Sequence, residues 1–332
     1  MQKKVFIDSD MGWDDVLSIA YLMKDPSVEI VGLSVTGCGE TNLGWGTLIA
    51  QHLLGIGEHQ HVPLARGTDV PLSLSNVFPQ PFKNDMNDLM GLLGSLNPAH
   101  LPGVSAKPGW ELLHDTLKVS TTPITVLSLG GFTTFAKLLA LKPAASDLAK
   151  IERIVAMAGA VHVDGNVAAL NGALPEWDQG SRYRSNHYAE WNVFVDPLAA
   201  DLVFKSDLPL TLVPLDACNQ VILDPSYTAR ITATDPVATL VRNVFEKKTG
   251  DNQEGALPVP IFDPLATLLM TGGVAANKTL SEFLSVETKE TEQDNHCGQV
   301  RVEPSGSRPI DFVVGVSQTQ FAQQYANVIN GA

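Results

Sequence analysis

Four aspartates near the start of the chain have the residue type and spacing that most directly indicate chemistry. Asp8, Asp10, Asp14 and Asp15 fall within eight residues, directly after the short apolar run 4–7. Two like charges about 4 Å apart repel by roughly 4 kcal/mol at an effective dielectric near 20, so several such pairs are hard to keep ionised together. Either some of these carboxyl groups are protonated, or a hard divalent cation such as Ca²⁺ or Mg²⁺ binds among them.

Two other interpretations of this acidic segment stay open. Asp14 and Asp15 can simply complement the positive end of a helix that follows them. An apolar strand followed by Asp-x-Asp also begins the aspartate phosphohydrolases of the haloacid dehalogenase type. Those usually have Thr or Val two residues after the second aspartate, where this chain has Gly12. That hypothesis needs Asp8 as a nucleophile and a lysine near a later strand end, and the lysines of this chain fall in unsuitable places.

The segments around the acidic cluster alternate between strand and helix patterns. Apolar, β-rich runs predict strands at 4–7, 28–35, 124–129, 151–157 and 210–215. Apolar residues at helical spacing predict helices at 14–24, 46–55, 133–141 and 197–204. This alternation is typical of an α/β fold with a mostly parallel central sheet flanked by helices, expected here as a single large domain over residues 1–332. Ligands bind such sheets beyond the carboxyl ends of the strands, where the polar residues of this chain fall.

Composition restricts the partners and the location. Acidic residues outnumber basic ones by 36 to 22, which gives a net charge of −14 and a pI near 4.9 and disfavours nucleic acid or an anionic membrane as partner. Apolar residues make up 44% of the chain, enough for a sizeable core. The three cysteines form no C-x-x-C pair, and no apolar run is long enough for a signal-peptide core or a membrane span. These features predict a soluble, cytoplasmic protein.

Five segments, in the expected order, resemble signatures of the nucleoside hydrolase family. Residues 8–15, Asp-Ser-Asp-Met-Gly-Trp-Asp-Asp, are similar to its D-x-D-x-G-x-D-D motif. The other segments are 129–134 (T-G-P-L-T-N in the family), 157–166 (M-G-G…G-N), 189–197 (A-E-[WF]-N…D-P) and 262–264 (the late D-P acid). The resemblance covers nearly the whole chain. It implies the Rossmann-like nucleoside hydrolase fold, hydrolysis of the N-glycosidic bond of ribonucleosides, and assembly as a homodimer or homotetramer.

The resemblance also implies a role for each matching position. Ca²⁺ would be held by the carboxylates of Asp10, Asp15 and Asp263 and by the backbone carbonyl of Leu129. The residues expected to bind the sugar are Asp14, Met157, Asn166, Glu190 and Asn192, with Asp8 supporting the cluster from behind. Asp10 is expected to be the catalytic base, which takes a proton from a calcium-bound water as that water attacks C1′ of the ribose.

The residue at position 262 is one indicator of which nucleobase would be released. Family members that favour inosine and uridine carry a histidine just before the late metal-binding aspartate, as a candidate acid for the leaving base, whereas this chain has Phe262. Trp191 and the segment 215–219 resemble instead the purine-preferring inosine-adenosine-guanosine branch, which is thought to sandwich the purine between aromatic rings. Trp191 is predicted to form one wall and Phe82 the other. Ordinary core packing is the alternative for Phe82 and Phe262.

Several features leave alternatives open. Residues 36–40, Thr-Gly-Cys-Gly-Glu, replace the V-G-N stretch of the family, so Glu40 either contacts the substrate or is solvated. His162 and His187 lie near the predicted site as further candidate acids, although a lone histidine is more often structural. The long segments 164–188 and 250–260 are typical of lids or binding loops. A catalytically weak relative that binds ribosides without cleaving them is also compatible with the sequence.

Overall fold

One ten-stranded sheet forms the centre of the molecule. The chain is represented by a computed structural model that describes residues 2–73, 76–94, 103–169, 181–250 and 259–331. Its strands are β1 (Lys3–Ser9), β2 (Val28–Val35), β3 (Leu64–Arg66), β4 (Val104–Ser105), β5 (Ile124–Ser128), β6 (Ile151–Ala156), β7 (Leu210–Leu212), β8 (Lys278–Val286), β9 (Val300–Glu303) and β10 (Pro309–Gly315). They lie in the order β4-β3-β2-β1-β5-β6-β7-β10-β8-β9. From β4 to β10 neighbouring strands pair in parallel, while β8 is antiparallel to both β10 and β9.

Helices cover both faces of this sheet. They are α1 (Trp13–Lys24), α2 (Leu43–Ile56), α3 (Gln80–Met86), α4 (Gly109–Val119), α5 (Thr133–Ala140), α6 (Ala145–Leu148), α7 (Ser181–Arg184), α8 (Trp191–Phe194), α9 (Pro197–Phe204), α10 (Leu215–Cys218), α11 (Ser226–Arg230), α12 (Pro236–Gly250), α13 (Asp263–Thr271) and α14 (Gln318–Asn330). Within the described ranges, no helix has the length and apolar character that crossing a bilayer requires.

Strand β1 shows why the sheet is buried on both sides. Val5 and Ile7 pack in the apolar cluster that includes α1, α13 and α14. Phe6, which points to the opposite face, packs in the second cluster with Leu113 of α4 and Phe135 of α5. A strand covered on both faces must be apolar where it is covered, as residues 5–7 of β1 are.

The predicted α/β architecture is confirmed. Each predicted strand and helix is present, with ends that differ from the prediction by three residues or fewer. The largest shortening of a strand is at β7, which ends at Leu212 rather than at 215. Pro214 follows two residues later and caps the short helix α10, and proline has no backbone N–H to continue a strand ladder.

Candidate active site

The acidic segment folds into a tight turn between β1 and α1 that buries all four aspartates. Asp8, Asp10, Asp14 and Asp15 are each at most 5% exposed. The backbone N–H of Gly12 and the hydroxyl of Ser9 both donate to the carboxylate of Asp15, at 2.9 and 2.5 Å. The backbone of Met11 is left-handed, with φ of 59°. The turn therefore directs the carboxylates inward, at the carboxyl edge of the sheet.

Asp8 lies behind this turn. It is fully buried within β1, and the hydroxyl of Thr134 at the start of α5 donates to its Oδ1 at 2.8 Å. It does not line the cavity described below. The supporting role that the family resemblance implies for Asp8 stays a prediction.

A distant segment of the chain completes the acidic cluster. Helix α13 begins at Asp263, whose carboxyl group is 3% exposed. Oxygen atoms of Asp14, Asp15 and Asp263 all lie within 4.8 Å of one another. Three buried carboxylates at this separation suit a hard divalent cation, which takes oxygen ligands. Residues from near the two ends of the sequence thus meet at one point.

Asp10 is oriented differently from its neighbours. Its Oδ2 accepts a hydrogen bond of 2.9 Å from the backbone N–H of Glu40, in the loop after β2. Asp10 also lies within hydrogen-bonding reach of Asp15. The tight carboxylate group consequently contains Asp14, whereas the family resemblance implies Asp10 as the ion ligand and Asp14 as a sugar contact.

A cavity of about 50 Å³ opens above the acidic cluster. Its lining consists of Asp10, Asp14, Asp15, Glu40, Phe78, Leu129, Met157, Asn166, Glu190, Trp191, Asn192, Phe262 and Asp263. The structure therefore brings together the predicted site residues except Asp8 and Phe82. Glu40 and Phe78 are additional lining residues. The sequence alone does not decide whether Glu40 contacts the substrate or is solvated. It predicts no role for Phe78.

Hydrogen bonds between the loop after β6 and the start of α8 hold the polar wall of the cavity in place. Glu190 caps α8: its carboxylate accepts hydrogen bonds from the backbone N–H groups of Asn192 at 2.8 Å and Gly159 at 2.9 Å. The side-chain amide of Asn192 donates to the backbone carbonyl of Met157 at 2.9 Å. The side-chain oxygen of Asn166 accepts from the backbone N–H of Trp191 at 3.2 Å. These bonds fix the side chains without using all of their hydrogen-bonding capacity.

Aromatic rings form the other end of the cavity. The rings of Phe78 and Trp191 are 4.3 Å apart between centroids, and Tyr183 stacks on Trp191 at 6.1 Å. Phe82 lies outside the cavity and meets Phe78 edge-on at 6.0 Å. Phe78 therefore occupies the wall position that was predicted for Phe82. The two rings belong to one short segment, and the chain turns into α3 between them.

Burial dominates the electrostatics of the acidic cluster. Loss of hydration raises the pKa of Asp8 to about 7, of Asp14 to about 6 and of Glu190 to about 7. The pKa values of Asp15 and Asp263 are raised well above the ordinary range, first by burial and then by the neighbouring aspartates. Neither lysine nor arginine lines the cavity among the described residues. A divalent cation bound here would offset the repulsion between neighbouring aspartates, which adds to the effect of burial at Asp14, Asp15 and Asp263.

His162 and His187, the candidate acids, lie away from the cavity. His162 is half-exposed, and its Nε2 is 3.7 Å from a carboxylate oxygen of Glu282. His187 is exposed. Neither belongs to the cavity lining. The parts of the predicted loops at 170–180, with Trp177, and at 251–258 lie outside the described residues.

Comparison with known proteins identifies the class of enzyme that has this fold and site. The sequence profile described as "Inosine-uridine preferring nucleoside hydrolase" matches residues 5–323. The pyrimidine-specific ribonucleoside hydrolase RihA of Shewanella sp. (strain ANA-3) is 32% identical over 269 residues, which span 80% of this chain and 76% of that protein. RihA of Salmonella enteritidis PT4 is 26% identical over 293 residues, spanning 87% and 86%.

Solved structures show the same architecture. The inosine-uridine preferring nucleoside hydrolase from Bacillus anthracis superimposes with a TM-score of 0.79 and 22% identity over the full length of both chains. The purine-preferring ribonucleoside hydrolase from Gardnerella vaginalis gives a TM-score of 0.76 and 22% identity, covering 99% and 98%.

The chain is a nucleoside hydrolase. It belongs to the inosine-uridine preferring nucleoside hydrolase family, and it is an enzyme that hydrolyses the N-glycosidic bond of ribonucleosides. The family generally uses a metal ion, and the carboxylates of Asp14, Asp15 and Asp263 form a group that fits one.

Proposed function

We propose that the chain hydrolyses ribonucleosides with Ca²⁺ held by Asp10, Asp15, Asp263 and the backbone carbonyl of Leu129. The main support is the meeting of buried carboxylates from the β1–α1 turn and from α13, with no basic side chain among the described lining residues. Carboxylate and carbonyl oxygens are the ligands that Ca²⁺ prefers. When bound, the ion would lower the pKa of a coordinated water.

Asp10 is the proposed catalytic base. Burial raises the pKa of Asp10 above its ordinary value, so its carboxylate is a stronger base than a solvated one. The hydrogen bond from Glu40 N–H fixes the orientation of this carboxylate, which is proposed to take the proton of the water that attacks C1′. The surrounding carboxylates stabilise the positive charge that develops on the ribosyl ring.

The remaining polar residues are proposed to hold the sugar. They are Asp14, Asn166, Glu190 and Asn192, with Met157 lining the same wall and Asp8 supporting the cluster from behind. Fixed hydrogen bonds at Glu190 and Asn192 orient these groups before the substrate binds. Preorganised groups lose little freedom on binding, which favours both affinity and rate.

We propose a preference for purine bases. The paired rings of Phe78 and Trp191, with Phe262 also in the lining, offer an apolar surface on which a bicyclic base can stack. No histidine stands among the described lining residues to protonate a departing pyrimidine. The second candidate is a pyrimidine preference, which the printed names of the RihA relatives favour. A single domain over residues 1–332, a homodimer or homotetramer and a cytoplasmic location also remain proposals.

Release of free ribose from inosine, guanosine, adenosine, uridine and cytidine tests these proposals together. We expect the highest kcat/KM with a purine nucleoside, loss of activity after chelation, and recovery with Ca²⁺. A higher kcat/KM for uridine or cytidine would exclude the purine preference. Activity that chelator leaves unchanged would exclude the metal.

The ligand assignment has its own test in calcium binding measured by calorimetry. Asp263→Asn should weaken Ca²⁺ binding by at least tenfold, because one charged ligand is lost. Asp311→Asn, which removes an exposed carboxylate of β10, is the matched control and should bind as the unmodified protein does. Equal affinities in the two variants would remove Asp263 from the site.

A further inference from the structure

Two stretches of the chain lie side by side behind the polar wall of the cavity. One carries Asn166, and the other carries Glu190 and Trp191. The backbone carbonyl of Ala189 accepts a hydrogen bond of 3.0 Å from the N–H of Asn166. A Cβ on Gly165 would lie 2.2 Å from that same carbonyl oxygen, so only glycine permits this approach. The places of three lining residues thus depend on how these two stretches pack.

A fully buried asparagine joins the two stretches. The side-chain oxygen of Asn186 accepts hydrogen bonds from the backbone N–H groups of Tyr188 at 3.2 Å and Ala189 at 3.0 Å. Its backbone carbonyl accepts one of 3.0 Å from the N–H of Ala168, in the other stretch. A side-chain bond to the residue two positions on forms an Asx turn, which fixes the local path of the chain. Asn186 therefore sets the backbone that leads into Glu190.

The side-chain amide group of Asn186 bonds to a third part of the chain, the connection between β8 and β9 at residues 287–299. Its Nδ2 donates to the backbone carbonyl of Cys297 at 2.7 Å. The next residue, Gly298, has a left-handed φ of 82°, and a Cβ there would lie 2.8 Å from the Cα of Phe194 in α8. The β8–β9 connection therefore packs directly against the short helix that Glu190 caps, and the amide of Asn186 fastens it there.

These anchoring contacts lie outside the cavity. Within the described part of the chain, neither Asn186 nor any residue of the β8–β9 connection belongs to the cavity lining. The acidic cluster stands on other elements, the β1–α1 turn and the start of α13. Loss of the amide would leave the buried carbonyl of Cys297 without this donor, which favours a shift of the two segments relative to each other. Such a shift would move one wall of the cavity and leave the carboxylates in place.

We propose that Asn186 is a positioning residue, which fastens the segment carrying Glu190 and Trp191 to the β8–β9 connection and so places these side chains and Asn166 for substrate binding. The connection is then a functional part of the site, although it contributes no side chain to the described lining. Groups that are already in place lose little freedom when the substrate binds, so a loosened wall binds it more weakly. The inference rests on the proposed role of this wall in holding the substrate.

Asn186→Ser removes the link to Cys297 with little other disturbance. A serine hydroxyl accepts hydrogen bonds from the same turn, although more weakly, and it is too short to replace the amide donor. We expect KM for inosine to rise at least fivefold while kcat falls less than threefold, because contacts shared by the bound substrate and the transition state affect KM alone. The affinity for Ca²⁺, measured by calorimetry, should stay within twofold, since the carboxylates stand on other elements.

Asn330→Ser is the matched control, because Asn330 makes the same set of hydrogen bonds. Its side-chain oxygen accepts from the backbone N–H groups of Thr232 at 2.8 Å and Ala233 at 3.0 Å, and its Nδ2 donates to the carbonyl of Arg230 at 2.8 Å. It lies at the end of α14 and is not among the lining residues. The control should lower the unfolding temperature and leave KM unchanged. A KM within twofold of the unmodified value in Asn186→Ser, an equal rise in both variants, or a matching loss of Ca²⁺ affinity would overturn the proposal.

Hydrogen exchange separates failure of this inference from failure of the proposed function, because it needs no substrate. Mass spectrometry compares amide exchange in the unmodified protein and in Asn186→Ser. We expect faster exchange in residues 164–169 and 186–195, with unchanged rates in 8–24 and 263–271. Such a local rise supports the role of Asn186 even if no nucleoside is cleaved.

Unchanged exchange in the first two segments, or an equal rise in all four, would overturn the proposal even if the enzyme is active. Circular dichroism establishes that Asn186→Ser is folded. If it is not, Asn186→Asp takes its place in every measurement, because aspartate keeps the shape of the side chain and both accepted hydrogen bonds and lacks the amide donor.

Discussion

Two cavities lie at opposite ends of the same parallel strands, and the pKa values of their acidic residues are shifted in opposite directions. At the carboxyl ends, burial raises the pKa of Asp14 to about 6 and that of Glu190 to about 7. The second cavity lies at the amino ends of β1, β2 and β5 and is lined in part by Asp115. There the hydrogen bond from Lys107 lowers the pKa of Asp115, which is largely solvated.

The difference comes from partners and burial, since acids occur at both ends. Asp115 has two lysines within 4.0 Å, whereas the described lining of the carboxyl-end cavity contains no basic side chain. Exposed ion pairs contribute little to stability and can be exchanged freely. Buried acids without counter-charges reduce the stability of the ligand-free protein, and a site with this cost is usually retained for function. The buried acids at the carboxyl ends of the strands are therefore the candidates for catalysis, whereas Asp115 at the amino ends is an ordinary surface charge.

The largest expected contrast between the two ends is in catalysis. Asp10→Asn should lower kcat by about 10²- to 10⁴-fold, because an amide cannot take the proton of the attacking water. Asp115→Asn, the matching change at the amino end, should leave kcat unchanged. Steady-state rates of ribose release measure both variants, with thermal unfolding as the check on folding. Turnover near the unmodified rate in Asp10→Asn would remove it from the role of base.

The next contrast is in stability against pH. The pKa values of Asp8, Asp14 and Glu190 in the folded protein are about 7, 6 and 7, above their ordinary values of 3.8, 3.8 and 4.5. The folded state therefore binds protons more tightly than the unfolded state. The stabilisation is fully present below about pH 4 and is lost as pH rises through 6 to 7. With chelator, the unfolding temperature should thus be higher at pH 5 than at pH 8.

Calcium should reverse that trend, because it competes with protons for the same carboxylates. At 100 times its Kd an ion that binds only the folded state adds about 2.7 kcal/mol, which raises the unfolding temperature by on the order of 5 °C for a chain of this size. Differential scanning calorimetry at both pH values, with and without Ca²⁺, makes the measurement. A chelated protein that is more stable at pH 8 than at pH 5 would contradict the electrostatic difference between the two ends.

The smallest expected effect distinguishes two neighbouring rings within the carboxyl-end region. Phe78→Leu should raise KM for inosine about fivefold, corresponding to about 1 kcal/mol of lost aromatic stacking. Phe82→Leu changes a ring that lies outside the cavity and should alter KM less than twofold. Initial-rate kinetics compare the two variants. An effect at Phe82 that equals or exceeds the one at Phe78 would restore Phe82 as the wall of the base site.

Sequence reasoning predicted the architecture because the signals for it are local. Apolar runs such as 28–35 reveal a strand through a few consecutive residues, and the parallel sheet follows from their alternation with helices. The meeting of Asp263 with Asp14 and Asp15 is not local. No spacing rule connects positions so far apart, and only the family resemblance placed Asp263 in the site.

Side-chain direction was the part that the sequence could not determine. Phe78 and Phe82 flank the start of α3, so the exact point at which the helix begins decides which ring faces the cavity. Asp10 turns toward the loop backbone because Gly39 allows a close approach, and two glycines in Thr-Gly-Cys-Gly-Glu were the signal that could have indicated it. The same close approach carries Glu40 into the cavity rather than into solvent.

The assembly of one site from α1 and α13 has a consequence during protein synthesis. Asp263 follows Asp15 by 263 − 15 = 248 residues. At elongation rates of about 5 to 20 residues per second, it leaves the ribosome roughly 12 to 50 seconds later. Throughout that interval the early aspartates lack the partner that completes their cluster. Chains that terminate before residue 263 should therefore lack both the complete cation site and nucleoside cleavage.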